Sequence, residues 1–252
     1  MLRLLPPEPD LPVSSDIYQT EGASHYSLRY LILGIFTAWI SVSLAAQDAS
    51  LDRILDQMES KGGSVKSMTA SLKQQKWTAI LEEFDQGESG SFLFLKSKEE
   101  VFLRREISKP QPSSLVIADG QAIFYQPILK QAHHHRLGNS RDKTEFMILG
   151  FGSDRESLET AYEISLLGDE QLDGVKTYQI EMLPRSEKAQ AYFTRIILWI
   201  DSKRWIPVQQ KLVEPTDDYL LVRFYNIILN PRLRPRDFKI TLPKDTQIVG
   251  LD

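Results

Sequence analysis

Three consecutive histidines, His133, His134 and His135, are the densest group of potential metal ligands in this chain. In a strand the first and third project from one face, and imidazole would favour zinc. Yet no carboxylate or cysteine stands at a familiar ligand spacing nearby, and the only other histidine is His25. No metal site is therefore expected. Nucleophilic chemistry has equally little to work with, because cysteine is absent and no serine sits in a G-x-S-x-G elbow. Phosphate-binding loops are missing as well, and Gly150-Phe151-Gly152 lacks the rest of any dinucleotide fingerprint. The carboxylate pairs Glu82-Glu83 and Asp217-Asp218 could do acid–base work, but they stand in polar, turn-like surroundings where solvated carboxylates are the base expectation. The reading is a protein that is not an enzyme and uses no cofactor.

What the chain has in abundance is large apolar surface on segments patterned as strands. A net charge of -4 and a pI near 5.7 argue against nucleic acid as a partner. From about Val65 the pattern is β: MTASLKQQKWTAIL, SFLFLK and EVFLRREI, then a hairpin in which Leu115–Ala118 and Ala122–Tyr125 flank Asp119-Gly120. Asp-Gly between such runs is a strong hairpin signal, and Pro127 ends the second strand. Strands resume as YEISLLG, a turn at Asp173-Gly174, VKTYQIEML, AYFTRIILWID, WIPVQQKLVE, YLLVRFYNIIL and FKITLP. The fold class is mainly β (α+β), a single strongly curved antiparallel sheet with apolar and polar residues alternating across a face that must be covered. One amphipathic helix precedes it, with Leu51, Ile54, Leu55 and Met58 at helical spacing and Gly62-Gly63 as its stop. Between Arg141 and Glu163 the β pattern lapses into an apolar patch and then DRESLETA, a short helix with Asp154 at its N-terminus. A mobile or lid-like segment is expected there. Periodicity does not separate a concave face filled by its own aromatic residues from one that leaves a cavity for an apolar guest.

Tyr30–Gln47 carries no charge and ends in small residues. The pattern fits a secretory signal peptide cleaved near Ala45 or Ala46, while a run of 18 uncharged residues also suffices for one membrane-anchoring helix. The small-residue end favours cleavage, giving residues 1–46 as extension plus signal and 47–252 as the working domain. Without cysteine the chain has no disulfide and no thiol to carry a lipid anchor.

Several of these segments resemble the LolA family of periplasmic lipoprotein carriers and its LolA-like relatives. The resemblance runs from about Leu51 to Val249 and is carried by MTASLKQQ at 68–75, Gly90 with SFLFLK, KPQPSSLVIADGQAIFYQPILKQA, and FYNIILNPRLRPRDFKITLPKDTQIV. It implies an open, incomplete β-barrel of about eleven strands closed by a helical lid, enclosing an apolar cavity for acyl chains. It also implies a periplasmic monomer in transient membrane contact, moving acylated lipoproteins or other lipids from an inner-membrane exporter to an outer-membrane receptor. The lipid-facing positions would be Leu72, Phe92, Phe94, Phe102, Leu115, Ile117, Phe124, Ile128, Trp199, Phe224 and Phe238, with Phe146, Ile148 and Leu149 in the lid. One departure stands out. Where the family carries an arginine-proline pair whose arginine bonds the lid, this chain has Lys96-Ser97-Lys98-Glu99. That leaves room for a divergent carrier of another lipid; the alternative, which retention of the hydrophobic segment as an anchor would favour, is a membrane-anchored sensor of the same fold that reports lipids or lipoproteins to a partner.

Overall fold

Asp119 and Gly120 both hold positive φ, at 52° and 70°, and Asp173 and Gly174 repeat the geometry at 51° and 77°. These are the mirror-image turns whose twist matches that of the flanking strands, and both close two-residue hairpins where the sequence places them. They belong to a computed structural model that describes residues 50–97, 100–137, 146, 148–151 and 154–250. The hydrophobic stretch Tyr30–Gln47, Met147, Gly152 and the pair Lys98-Glu99 lie outside the described residues. None of the described helices is long and apolar enough to cross a membrane.

One sheet of thirteen strands dominates. Its members are β1 (Ser67–Thr78), β2 (Glu83–Phe84), β3 (Glu88–Lys96), β4 (Val101–Lys109), β5 (Ser113–Ala118), β6 (Gln121–Gln126) and β7 (Gln131–Arg136). After the helical insertion come β8 (Tyr162–Leu172), β9 (Val175–Pro184), β10 (Arg195–Asp201), β11 (Pro207–Val213), β12 (Tyr219–Leu229) and β13 (Gln247–Val249). The spatial order is β13-β7-β6-β5-β4-β3-β1-β12-β11-β10-β9-β8, with β2 paired to the end of β1. The sheet is curved, as the strand pattern suggests, and does not close, as the resemblance implies. Ten of the strands are those expected; the two-residue β2, the histidine-bearing β7 and the three-residue β13 are additions, and β13 runs parallel to β7.

Two expected strands come out differently. Phe238 closes a 3-10 turn, Pro235–Phe238, and the FKITLP segment beyond it is not a strand. Three prolines at 231, 235 and 243 remove ladder donors from this stretch. Instead the segment lies on the outer face of β4 and β5. There Phe238 packs on Phe102 with ring centroids 5.6 Å apart, and Arg104 donates to the carbonyls of Asp237 and Lys239 at 3.2 and 3.1 Å. The other difference is the start of β10. Ser186 caps a short helix, Glu187–Gln190, by accepting from the Ala189 N–H, and Tyr192 and Phe193 follow in a turn rather than in the strand.

Both expected helices form. The first, over 50–60, buries Ile54, Leu55 and Met58 and rests Leu51 on the same cluster. The second, Arg155–Ala161, is capped by Asp154, whose side chain accepts from the Ser157 N–H. Arg155 ties the two helices together, bonding Asp52, Asp56 at 2.7 Å and Glu159 at 2.7 Å.

The turn between β10 and β11 contains a charge with a measurable consequence. Burial pushes the carboxyl of Asp201 up, but the N–H groups of Arg204 and Lys203 and the Arg204 guanidinium outweigh it and hold it below the ordinary carboxylate range. A folded-state value below the unfolded one adds stability above the ordinary value, and that stability is lost as pH falls through the folded value. Asp154 is lowered in the same sense, chiefly by the Ser157 backbone N–H. Unfolding midpoints should therefore hold level from neutral pH to about pH 4 and fall below it. Asp201→Asn should start lower and show a shallower acid limb; an unchanged limb would assign the acid sensitivity to other groups.

Candidate ligand cavity

Alternation along the strands sorts the apolar residues onto two faces. Met68, Ala70 and Leu72 of β1, Phe92 and Phe94 of β3, Leu103 and Ile107 of β4 and Val222 and Phe224 of β12 share the inner face with Phe151. Ile180 and Met182 of β9 and Ile196, Leu198 and Ile200 of β10 continue it under the first helix, Phe146, Leu149 and Leu158. Between these clusters lies a cavity of about 250 Å³. Its floor is Leu72, Phe92, Leu212, Leu220, Val222 and Phe224, and its roof is Phe146, Tyr192 and Phe193. Three polar side chains, Gln74, Arg105 and Gln210, complete the wall.

The roof is an aromatic arrangement. Phe146 meets Phe193 edge to face at 4.9 Å and Tyr192 at 6.5 Å. Beside it Phe151 is seated on Phe224, Phe92 and Phe94 at 5.6, 6.4 and 6.4 Å. Gln210, buried, donates to the Leu149 carbonyl at 3.2 Å and so ties β11 to the cover.

Of the positions expected to face lipid, Leu72, Phe92, Phe146 and Phe224 line the cavity. Phe94, Ile117 and Leu149 are buried in the surrounding core, with Leu115 and Ile148 partly buried against it. Phe124 is half-buried on β6, in register with Leu115 and His133. Four positions are placed elsewhere. Phe102 and Phe238 pair on the outer face, because Val101 and Leu103, which flank Phe102 on β4, take the inner face and the C-terminal segment brings Phe238 over the outer one. Trp199 lies between the inner-facing Leu198 and Ile200 and donates its Nε1–H to Glu170 at 2.7 Å. Ile128 stands in the β6–β7 turn, 64% exposed.

Sequence reasoning missed Gln74, Arg105 and Gln210, which look like solvent-facing polar residues of alternating strands, and Tyr192 and Phe193, which were assigned to β10. The only available signal was phase: Gln74 follows Leu72 by two, and Arg105 lies midway between Leu103 and Ile107. The histidines occupy β7, where His133 and His135 face Phe124 and Ala122 across the ladder. Among the described residues no group of three or more histidines and carboxylates is close enough to hold a metal ion. The carboxylate pairs sit at or beside turns, with Glu82 and Asp217 at positive φ, Glu83 opening β2 and Asp218 accepting from the Ala79 N–H at 2.8 Å.

An open sheet with an apolar cavity under an aromatic roof is the architecture of a β-rich binding protein. Residues 63–241 match the family described as outer membrane lipoprotein carrier protein LolA, and the chain belongs to that family. Its members are binding or carrier proteins. An uncharacterised protein of Methanocaldococcus jannaschii is 20% identical over 224 residues, which cover 88% of this chain and 61% of that protein. The chain thus matches less than two thirds of that relative's length. Among solved structures, it is similar to MucB at 12% identity and a TM-score of 0.49, covering 80% of this chain and 66% of the other. The Mycobacterium tuberculosis lipoprotein LppX is 12% identical with a TM-score of 0.47, covering 74% and 98%. A putative outer membrane lipoprotein-sorting protein domain from Vibrio parahaemolyticus is 14% identical with a TM-score of 0.42, covering 74% and 94%.

Proposed function

We propose that this protein is an exported carrier that shields acyl chains of lipoproteins, or of another lipid, in the inner-face cavity while they cross the periplasm between inner and outer membranes. The observation that carries this reading is the apolar cavity between Leu72, Phe92 and Phe224 on the sheet and Phe146, Tyr192 and Phe193 above it. Each methylene kept from water is worth about 0.8 kcal/mol, so a soluble carrier needs such a surface. Release demands that the cover move. At about 250 Å³ the cavity is smaller than the roughly 300–1,000 Å³ typical of ligand pockets, so several acyl chains enter only when the aromatic roof swings aside. The segment around Phe146 and Leu149 thus acts as a gate between a nearly self-filled resting form and a loaded one.

A sensor that stays at the inner membrane is the second reading, favoured by the uncharged run Tyr30–Gln47. Sequencing the N-terminus of the exported protein separates a cleaved shuttle from an anchored sensor.

Native mass spectrometry with lipid extraction, on protein recovered from the periplasm without detergent, tests the carrier. Acyl lipid near one per chain is the expected result. Leu220→Asp places a carboxylate at a half-buried lining position where it can still reach solvent, so occupancy should fall at least about tenfold with folding retained. A bare mass that persists after incubation with phospholipids and lipopeptides would overturn the carrier reading.

A further inference from the structure

The cavity wall contains one charged side chain, which an apolar guest does not explain. Arg105 points from β4 onto the inner face between Leu103 and Ile107, and its guanidinium helps to line the cavity. Nη1 donates to the Gln74 Oε1 at 3.3 Å, while Nε is buried and has no hydrogen-bond partner among the described residues. Glu88 is the neighbouring acid, but its carboxylate accepts from the Gln74 amide, and among the described residues it makes no ion pair with Arg105. Burial disfavours the charge and lowers the arginine pKa, with Glu88 opposing that shift. A guanidinium held this way is undercompensated, since a buried cation ordinarily has a directly bonded anion.

Its position along the cavity gives the missing partner a shape. Gln74 borders both the cavity and an open surface groove that contains Lys73, Glu88 and Lys109. Arg105 and Gln74 are thus a bonded polar pair in the cavity wall, with Gln74 next to solvent, whereas the third polar group, Gln210, is already taken up by the Leu149 carbonyl. The limited volume suits one chain better than two or three.

We propose that Arg105 is a headgroup anchor, and that the ligand of this closed form is a single-chain amphiphile with an anionic head, its tail in the cavity and its head on the guanidinium. An arginine fork matches a carboxylate or a phosphate by two parallel N–H bonds, which a lysine or glutamine does not reproduce. Gln74, already bonded to Arg105, holds the fork in place. The inference rests on the lipid-binding reading above and specifies the chemistry of the head.

The test is isothermal titration of the exported protein, stripped of lipid, with three probes that share a tail: myristate, myristoyl lysophosphatidate and the uncharged monomyristoylglycerol. Myristate or the lysophosphatidate should bind at least about tenfold more tightly than the uncharged probe, in line with a charge-assisted hydrogen bond. Whichever anion binds better identifies the head as carboxylate or phosphate. Arg105→Met should erase the preference while binding of monomyristoylglycerol persists, and Arg105→Lys should restore part of it. Removing an unpaired buried charge should leave the melting temperature equal or higher. Equal affinity of the wild type for all three probes would sink the anchor and leave the carrier intact. Failure of all three to bind would sink both.

Discussion

Replacing Gly90 with alanine is expected to cost about 3 kcal/mol or more of unfolding free energy, a large fraction of a domain's marginal stability. The reason is a close approach of backbone to backbone. A Cβ on Gly90 would stand 1.7 Å from the Glu106 carbonyl oxygen, 2.7 Å from its carbon and 2.9 Å from the Ile107 Cα. No side-chain rotation relieves those contacts. Only separation of β3 from β4 does, at the point where their register shifts between Ser89 and Gly90. Glu106 is itself held by Arg104 at 2.6 Å and by Ser114, so β4 has little freedom to give way. Urea unfolding of Gly90→Ala beside Gly63→Ala checks this, because a Cβ at Gly63 meets nothing within 4 Å. A Gly90 variant within about 0.5 kcal/mol of wild type would show that the strands are not so close.

Phe151→Ala should lower stability by a similar amount and also loosen the cover of the cavity. Its ring is 2% exposed and packed on Phe92, Phe94 and Phe224, and phenylalanine-to-alanine changes at such sites cost about 3–5 kcal/mol. Loss of that seat should raise the rate at which a fluorescent acyl probe enters the cavity. Phe102→Ala is the informative control. That ring is 6% exposed and packs on Phe238 on the opposite face of the sheet. It should lower the melting temperature without speeding uptake. If both variants accelerate uptake equally, general loosening of the sheet controls entry, and Phe151 is not a specific anchor.

Much of this architecture is legible in the residues because its determinants are local. Asp-Gly pairs set two hairpins, apolar spacing sets the first helix, and the Asp154 cap sets the second; each acts within about four residues of itself. The FKITLP segment was misread because its alternation is that of a strand, while Pro231, Pro235 and Pro243 deny it ladder donors. Tyr192 and Phe193 were likewise assigned to β10 on continuity of apolar character, and the capped turn of helix before them carries them over the cavity instead.

By itself, then, the sequence determined the class of fold, the hairpins, both helices, and the lack of any familiar catalytic or metal-binding pattern. It also held enough of the LolA pattern to name the family. Only the tertiary structure decided which apolar residues face the cavity and which the outer surface. Phe92 and Phe102 are both buried aromatic residues on adjacent strands, yet they lie on opposite faces. Aromatic composition is the same for both, and the face depends on strand phase together with what covers each side. The same holds for Arg105, an ordinary surface residue by type, which the inward phase of β4 turns into a charged residue in the wall of an apolar cavity.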